Sequence, residues 1–202
     1  PLSPCLRAGE NCRQLTSIAT SAAGRPPVGP ARAKPVPFQF QRRVREGDRV
    51  MDLACGKGGD LKKYARARIA WYVGVDIALE SVRRDAVKRY NAEHAREFPA
   101  TFVAGDAFVV DLAKVLPESA RALDVISCQF AIHYSFSTEQ RARTALRNVC
   151  KMLRPGGFFI GTTVDSNVLV RKLRATDGMT FGNSIVEVTF DDRFKRKTFD
   201  GA

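Results

Sequence analysis

No Cys-x-x-Cys pair occurs among the five cysteines, Cys5, Cys12, Cys55, Cys128 and Cys150. That spacing and the odd count argue against a zinc ribbon and against a disulfide scaffold. Free thiols in a reducing compartment are the reading that remains. No stretch approaches the roughly 20 consecutive apolar residues of a membrane-spanning helix, which excludes a helical integral membrane protein. There is no internal repeat, so a solenoid reading has no support. Acid is scarce: Lys and Arg number 33 against 21 Asp and Glu, for a formal charge of +12. Such a balance points to a polyanionic partner, nucleic acid first. What is present suits one ordinary domain, with 202 residues of which 45% are hydrophobic and 27% charged, enough to bury a core.

The basic excess is unevenly spread. Residues 1–45 hold seven of the ten prolines and eight basic residues against one acid, Glu10. No period survives through Arg25–Pro37, and the stretch reads as a disordered, basic, Pro-rich tail. Its Arg-rich, acid-poor start also fits an organelle transit peptide. With so much charge in a tail, the basic balance alone is a weak argument for nucleic acid.

From Arg45 the pattern changes. Arg49–Ala54, Ala70–Asp76, Thr101–Asp106, Leu123–Phe130 and Gly157–Val164 are short apolar runs with strand character. Helical patterns at Asp60–Arg68, Glu80–Glu97 and Thr138–Leu153 lie between them, the last stopped by Arg154-Pro155-Gly156-Gly157. This alternation predicts an α/β fold, a mainly parallel twisted sheet with helices on both faces. Ile185–Phe190 is expected to add a sixth strand. With no helix after it, the core at 46–202 is expected to be incomplete at its C-terminus.

The first strand runs into Asp52-Leu-Ala-Cys-Gly-Lys-Gly-Gly-Asp60. Glycines between a strand and a helix allow a tight turn and close approach of a ligand to the backbone. The next strand ends in Asp76, where a carboxylate can take the hydroxyls of a ribose. Ala54-x-Gly56-x-x-Gly59 nearly satisfies the dinucleotide fingerprint, but too little chain remains after it for a second nucleotide-binding half. Asp52-x-Ala54-x-Gly56-x-Gly58, with a third acid at Asp106 after the third strand, suits S-adenosylmethionine better. That cofactor offers a cationic amino group, ribose hydroxyls and an adenine amine.

Several segments together go further. Asp52–Leu61, Val75-Asp-Ile77, Ser127-Cys-Gln-Phe130, His133-Tyr-Ser-Phe136, Leu153–Gly157, Phe159–Thr163 and Phe181-Gly-Asn183 resemble the eukaryotic mRNA cap guanine-N7 methyltransferases, in order from about Val50 to Phe190. The resemblance implies a Rossmann-like class I fold, S-adenosyl-L-methionine as cofactor, the capped 5′ end of RNA as substrate, and a nuclear enzyme beside other capping or transcription proteins. It implies neither a metal nor a membrane. There are three departures. Ala54 stands where the family has glycine, residues 1–45 offer no match to a lysine-bearing helix, and a cap-holding acid and tyrosine fall beyond Ala202. The chain therefore looks shortened at both ends. A rival of another class is a non-catalytic module that retains cofactor or RNA binding.

The resemblance assigns Asp76 to the ribose, Asp106 to the adenine amine, and Gln129 and Tyr134 to the methionine portion. Gly56 lies beneath that portion, with Asp52 and Ala54 completing the loop. Lys57, Lys63 and Arg89 fall at positions that reach the cap and its triphosphate, an anion that Lys and Arg place by charge. One more residue separates Asp76 from Tyr90 than in the family. Glu80–Glu97 puts Val82, Ala86 and Tyr90 on one apolar face, Arg89 at its margin, and Arg84 and Lys88 opposite. His133 and Tyr134 are the candidates beside the reacting guanine. Guanine N7 carries a lone pair and no proton, so His133 is assigned to base contact rather than to general-base work. Outside such a motif, an acid after a strand is as readily a helix cap, and a histidine a packed structural residue. His94 reads as an exposed residue of a charged helix, and Cys55 and Cys128 as small apolar fillers.

Overall fold

The computed structural model describes residues 18–20, 43–93, 97–184 and 186–199. The chain divides into two compact units, Pro1–Thr162 and Thr163–Ala202. The first contains a six-stranded sheet: β1 (Ile18–Thr20), β2 (Arg49–Leu53), β3 (Trp71–Asp76), β4 (Ala100–Ala104), β5 (Leu123–Gln129) and β6 (Leu153–Thr162). The order is β1-β4-β3-β2-β5-β6. The last five are mutually parallel, whereas β1 pairs antiparallel with β4 at the edge. Two pieces of 1–45 therefore depart from the expected disorder: Ile18–Thr20 forms that edge strand, and Val44 is buried in the core. Lys34, Cys5, Cys12 and His94 lie outside the described residues.

Helices connect the parallel strands: α1 (Leu61–Ala67), α2 (Val87–Glu93), α3 (Leu112–Val115) and α4 (Glu139–Met152). Each strand sends alternate residues to opposite faces, and both faces are covered. Val50, Tyr72, Phe102 and Val125 pack on one face with Leu61, Tyr64, Val82, Ala86 and Tyr90. Met51, Val73, Val103 and Ile126 pack on the other with Leu112, Val149 and Met152. The first face is a run of aromatic rings, Tyr64–Tyr72 tilted at 5.3 Å and Tyr90–Phe102 edge-on at 5.5 Å between centroids.

The expected helix Glu80–Glu97 is shorter and of two kinds. Ser81–Ala86 is a π-helical turn that leads into α2, and the Val87 N–H reaches the Val82 carbonyl five residues back. A π turn is how one inserted residue is absorbed without rotating the rest of a helix. Across this turn Val82, Ala86 and Tyr90 all stay buried.

The second unit corrects the expected sixth strand. Ile185 lies outside the described residues. The neighbouring segments β7 (Thr180–Gly182) and β8 (Glu187–Thr189) pair antiparallel with each other as a two-stranded hairpin, and β8 is no part of the six-stranded sheet. The turn is self-contained: Asn183 N–H donates to the Val186 carbonyl at 2.8 Å, and Val186 N–H donates to Asn183 Oδ1 at 3.0 Å. A hairpin partner a few residues away costs far less loop-closure entropy than a distant sheet edge. Helix α5 (Ser166–Arg174), capped by Asp165, and a ring cluster of Phe181, Phe190, Phe194 and Phe199 complete this unit.

Candidate nucleoside-binding site

From β2 the chain moves outward through β3 to β4, then returns to the other side of β2 as β5. The loops after β2 and β5 therefore diverge, and such a switch point opens a crevice at the carboxyl ends of the strands. A cavity of about 410 Å³ lies there, lined by Ala54, Asp76, Ile77, Asp106, Phe108, Ala131, Tyr134 and Arg141 among others.

The glycine loop forms one wall. Gly56 (φ 52°) and Gly58 (φ 70°) are in the left-handed region, which glycine enters without steric cost. A Cβ on Gly58 would come within 2.6 Å of Leu61 Cδ1 and 3.3 Å of the Ala86 backbone, so this glycine also lets the loop press against the π turn. Ala54 adopts φ 60°, a conformation that costs an L-residue about 1–2 kcal/mol. The Ala54 methyl group thus sits on a strained backbone and on the cavity wall.

Asp76 ties this wall to the next. Its Oδ2 accepts the Gly56 N–H at 2.7 Å and its Oδ1 the Ala78 N–H at 2.8 Å, while its carbonyl accepts the Gly105 N–H at 2.8 Å. A carboxylate offers about four lone-pair positions, so two remain for hydroxyl donors. Asp52 does not line the cavity. It is buried beneath the loop, accepting the Tyr72 hydroxyl at 3.2 Å. Burial, reinforced by Asp60, pushes its carboxyl up to about 8. Cys55 and Cys128 are buried as expected, and burial raises both thiols.

Asp106 enters from the loop after β4, and α4 holds that loop. The amide of Asn148 donates to the carbonyls of Ala107 and Val110 at 2.7 Å each, and its Oδ1 accepts the Leu112 N–H at 2.9 Å. Arg141, also on α4, pairs with Asp106 Oδ2 at 2.9 Å. Sequence reasoning missed both. Asn148 left a legible signal, a lone amide on the apolar face with Ala145, Val149 and Met152. Arg141 left none, being one of several charges in α4.

The segment after β5 begins at Phe130 (φ 53°), whose N–H donates to the Thr162 carbonyl at 2.8 Å. This turn throws Phe130, Tyr134 and Phe136 outward, each more than 60% exposed, and brings Tyr134 to the cavity. The His133 and Tyr134 rings lie 4.3 Å apart. Gln129 is tied to the sheet rather than the cavity wall: its Nε2 donates to Ser127 Oγ at 2.9 Å and its Oε1 accepts from Thr162 Oγ1. Lys57 pairs with Asp85 of the π turn at 3.2 Å, Lys63 with Asp60 at 2.5 Å, and Arg89 is exposed on α2. None of these three lines the cavity. The structure thus gathers Ala54, Asp76, Asp106 and Tyr134 around one space, with Gly56 bonded to its rim. Among the described residues there is no group of three His, Cys, Asp or Glu able to hold a metal ion, and no helix long and apolar enough to cross a membrane.

The fold is the Rossmann-like fold of the class I methyltransferases. A protein of Pyrococcus horikoshii OT3 shares the fold with a TM-score of 0.53 at 23% identity, covering 72% of this chain and 62% of that one. Residues 38–201 match the mRNA (guanine-N(7))-methyltransferase domain, and the chain belongs to that family. It is 49% identical over 167 residues to mRNA cap guanine-N(7) methyltransferase 1 of Arabidopsis thaliana, covering 79% of this chain and 45% of the relative. The mRNA cap guanine-N(7) methyltransferase of Saccharomyces cerevisiae is 39% identical over 165 residues, covering 78% and 38%. The chain spans less than half the length of these curated relatives.

Proposed function

We propose that the protein transfers a methyl group from S-adenosylmethionine to N7 of the guanine cap of mRNA, in the nucleus, with the capped RNA 5′ end as substrate and other capping or transcription proteins as partners. The observation that carries this reading is the cavity at the switch point, where two carboxylates from successive strand ends meet an apolar wall in a chain of this family. The residues suit the cofactor. Asp76 keeps lone pairs for two ribose hydroxyls, Asp106 offers an acceptor to the adenine amine, and Ile77, Phe108 and Ala131 are apolar flanks for a purine. Gly56 and Tyr134 are assigned to the methionine portion, with Gln129 as support for that end from β5.

S-adenosylmethionine supplies an electrophilic methyl group on a sulfonium. Guanine N7 carries a free lone pair and no proton, so the protein needs no base. Its contribution is alignment and electrostatic setting. His133 and Tyr134, with rings 4.3 Å apart, are assigned to the guanine. Lys57, Lys63 and Arg89 are assigned to the triphosphate. The ion pairs of Lys57 and Lys63 are local: Lys57–Asp85 is exposed and worth at most about 1 kcal/mol, Lys63–Asp60 is half-buried, and an incoming phosphate competes with the carboxylate for each lysine.

The test is methyl transfer to capped and uncapped RNA. Capped RNA alone should accept the methyl group. His133→Ala should lower turnover. Lys63→Ala and Arg89→Ala should raise KM for capped RNA and remove roughly one unit each from the salt slope, with S-adenosylmethionine affinity unchanged. Tight binding of S-adenosylhomocysteine without any methyl transfer would replace the enzyme with a non-catalytic binding module.

A further inference from the structure

Asp106 reaches the cavity with neither oxygen idle. Oδ1 accepts the Phe108 N–H at 2.9 Å, and Oδ2 faces a guanidinium nitrogen of Arg141 at 2.9 Å. Arg141 comes from the first turn of α4 and lines the cavity with Asp106 and Phe108. Its guanidinium carbon stands 6.0 Å from the centroid of the Phe108 ring. Three cavity-lining side chains from two segments therefore form one cluster. This pair is unlike the ion pairs within helices. Arg143–Glu139 joins residues four apart with side chains 67% and 77% exposed, whereas Arg141 and Asp106 are 28% and 9% exposed and belong to different elements. A sheltered pair is screened less and holds its geometry better than an exposed one.

We infer that Arg141 is a positioning residue for base recognition: by holding Oδ2 of Asp106 it aims the remaining lone pairs at the donor edge of a purine and makes the cavity select a 6-amino over a 6-oxo base. The inference rests on the assignment of Asp106 to the adenine amine. An ionised carboxylate only accepts hydrogen bonds. A 6-oxo purine puts an acceptor where the amine stood, so two acceptors oppose each other in a sheltered site and both go unpaired. Discrimination of this kind depends on a fixed acceptor, because a carboxylate free to rotate can turn away from the mismatch. Two anchors, one on each oxygen, prevent that rotation.

Calorimetry on the full chain with S-adenosylhomocysteine and S-inosylhomocysteine tests this, using the wild type, Arg141→Ala, Arg141→Lys and Asp106→Ala. The wild type should prefer the adenosyl ligand by about tenfold or more. Arg141→Ala should weaken the adenosyl ligand about fivefold or more while moving the inosyl ligand less than about twofold, so that the ratio shrinks. Arg141→Lys should restore part of the ratio, since it keeps the charge but not the fork, and it keeps the test open should the alanine variant fail to fold. Adenosyl binding unchanged by both Arg141 variants but weakened by Asp106→Ala would overturn the role of Arg141. Equal weakening of both ligands would reduce Arg141 to wall packing and also overturn it. No effect of Asp106→Ala would remove the assignment of Asp106 itself, a separate failure.

Discussion

The loop bonded to Asp76 and the loop that carries Asp106 are held by opposite means. The glycine loop after β2 is fixed by its own backbone, with glycines at positive φ and two bonds to the end of the adjacent strand, from Cys55 N–H to the Val75 carbonyl and from Gly56 N–H to Asp76. The Asp106 loop has no such motif, and side chains of α4, remote in sequence, grip it through Asn148 and Arg141. The difference teaches that the conformation of a loop beside a cavity can be encoded locally or borrowed from a distant helix. Only the first kind leaves a motif.

Breaking the borrowed loop should have the largest effect. Asn148→Ala leaves the Ala107 and Val110 carbonyls and the Leu112 N–H without their partner. Unsatisfied buried groups cost about 1–3 kcal/mol each, so denaturant unfolding should show a loss of about 3 kcal/mol or more. Asp76→Ala strikes the joint between the two loops. It removes the bonds to Gly56 and Ala78 and an acceptor for ribose, and S-adenosylhomocysteine should bind tenfold or more weakly by calorimetry.

A smaller effect belongs to the layer under the glycine loop. Asp52 in the folded protein holds its proton up to about 8, against an ordinary value of 3.8. The folded state therefore binds more protons than the unfolded chain between those values. Stability is fully present below about 3.8 and falls as pH rises towards about 8. Asp52→Asn, which keeps an acceptor for Tyr72, should flatten that decline in melts taken across the window. A parallel decline in both proteins would show that Asp52 is ionised in the fold. The smallest change expected is a gain. Ala54→Gly relieves the strain at φ 60° but adds unfolded-state entropy, for a net stabilisation of about 0.5–1 kcal/mol. Cofactor should bind at least as tightly, and weaker binding would mean that the methyl group is part of the wall.

Much of the sheet was legible because its strands are bounded by local signals. Arg49–Leu53, Trp71–Asp76 and Leu123–Gln129 fall within a residue of their expected bounds, each being an apolar run ended by glycine, an acid or a sharp turn. The misreadings have one cause. Alternation at 185–190 announces a strand and says nothing of its partner, and the partner proved to be Thr180–Gly182 rather than the main sheet. Likewise the period of 80–97 announces a helix but cannot show that its first part winds as a π turn at Ser81–Ala86.

By itself the sequence determined the parallel α/β order, the glycine loop, and the acids Asp76 and Asp106 after their strands, since all of these follow from hydrophobic period and turn chemistry within short windows. The tertiary structure alone decided that Ala54 is strained, that Asp52 lies under the site rather than in it, and that Asp106 is shared with Arg141. It also decided that Lys57, Lys63 and Arg89 stay off the cavity wall. Those facts depend on burial and on contacts between segments far apart in the chain. Side-chain electrostatics follows distance in space, which no spacing along the sequence specifies.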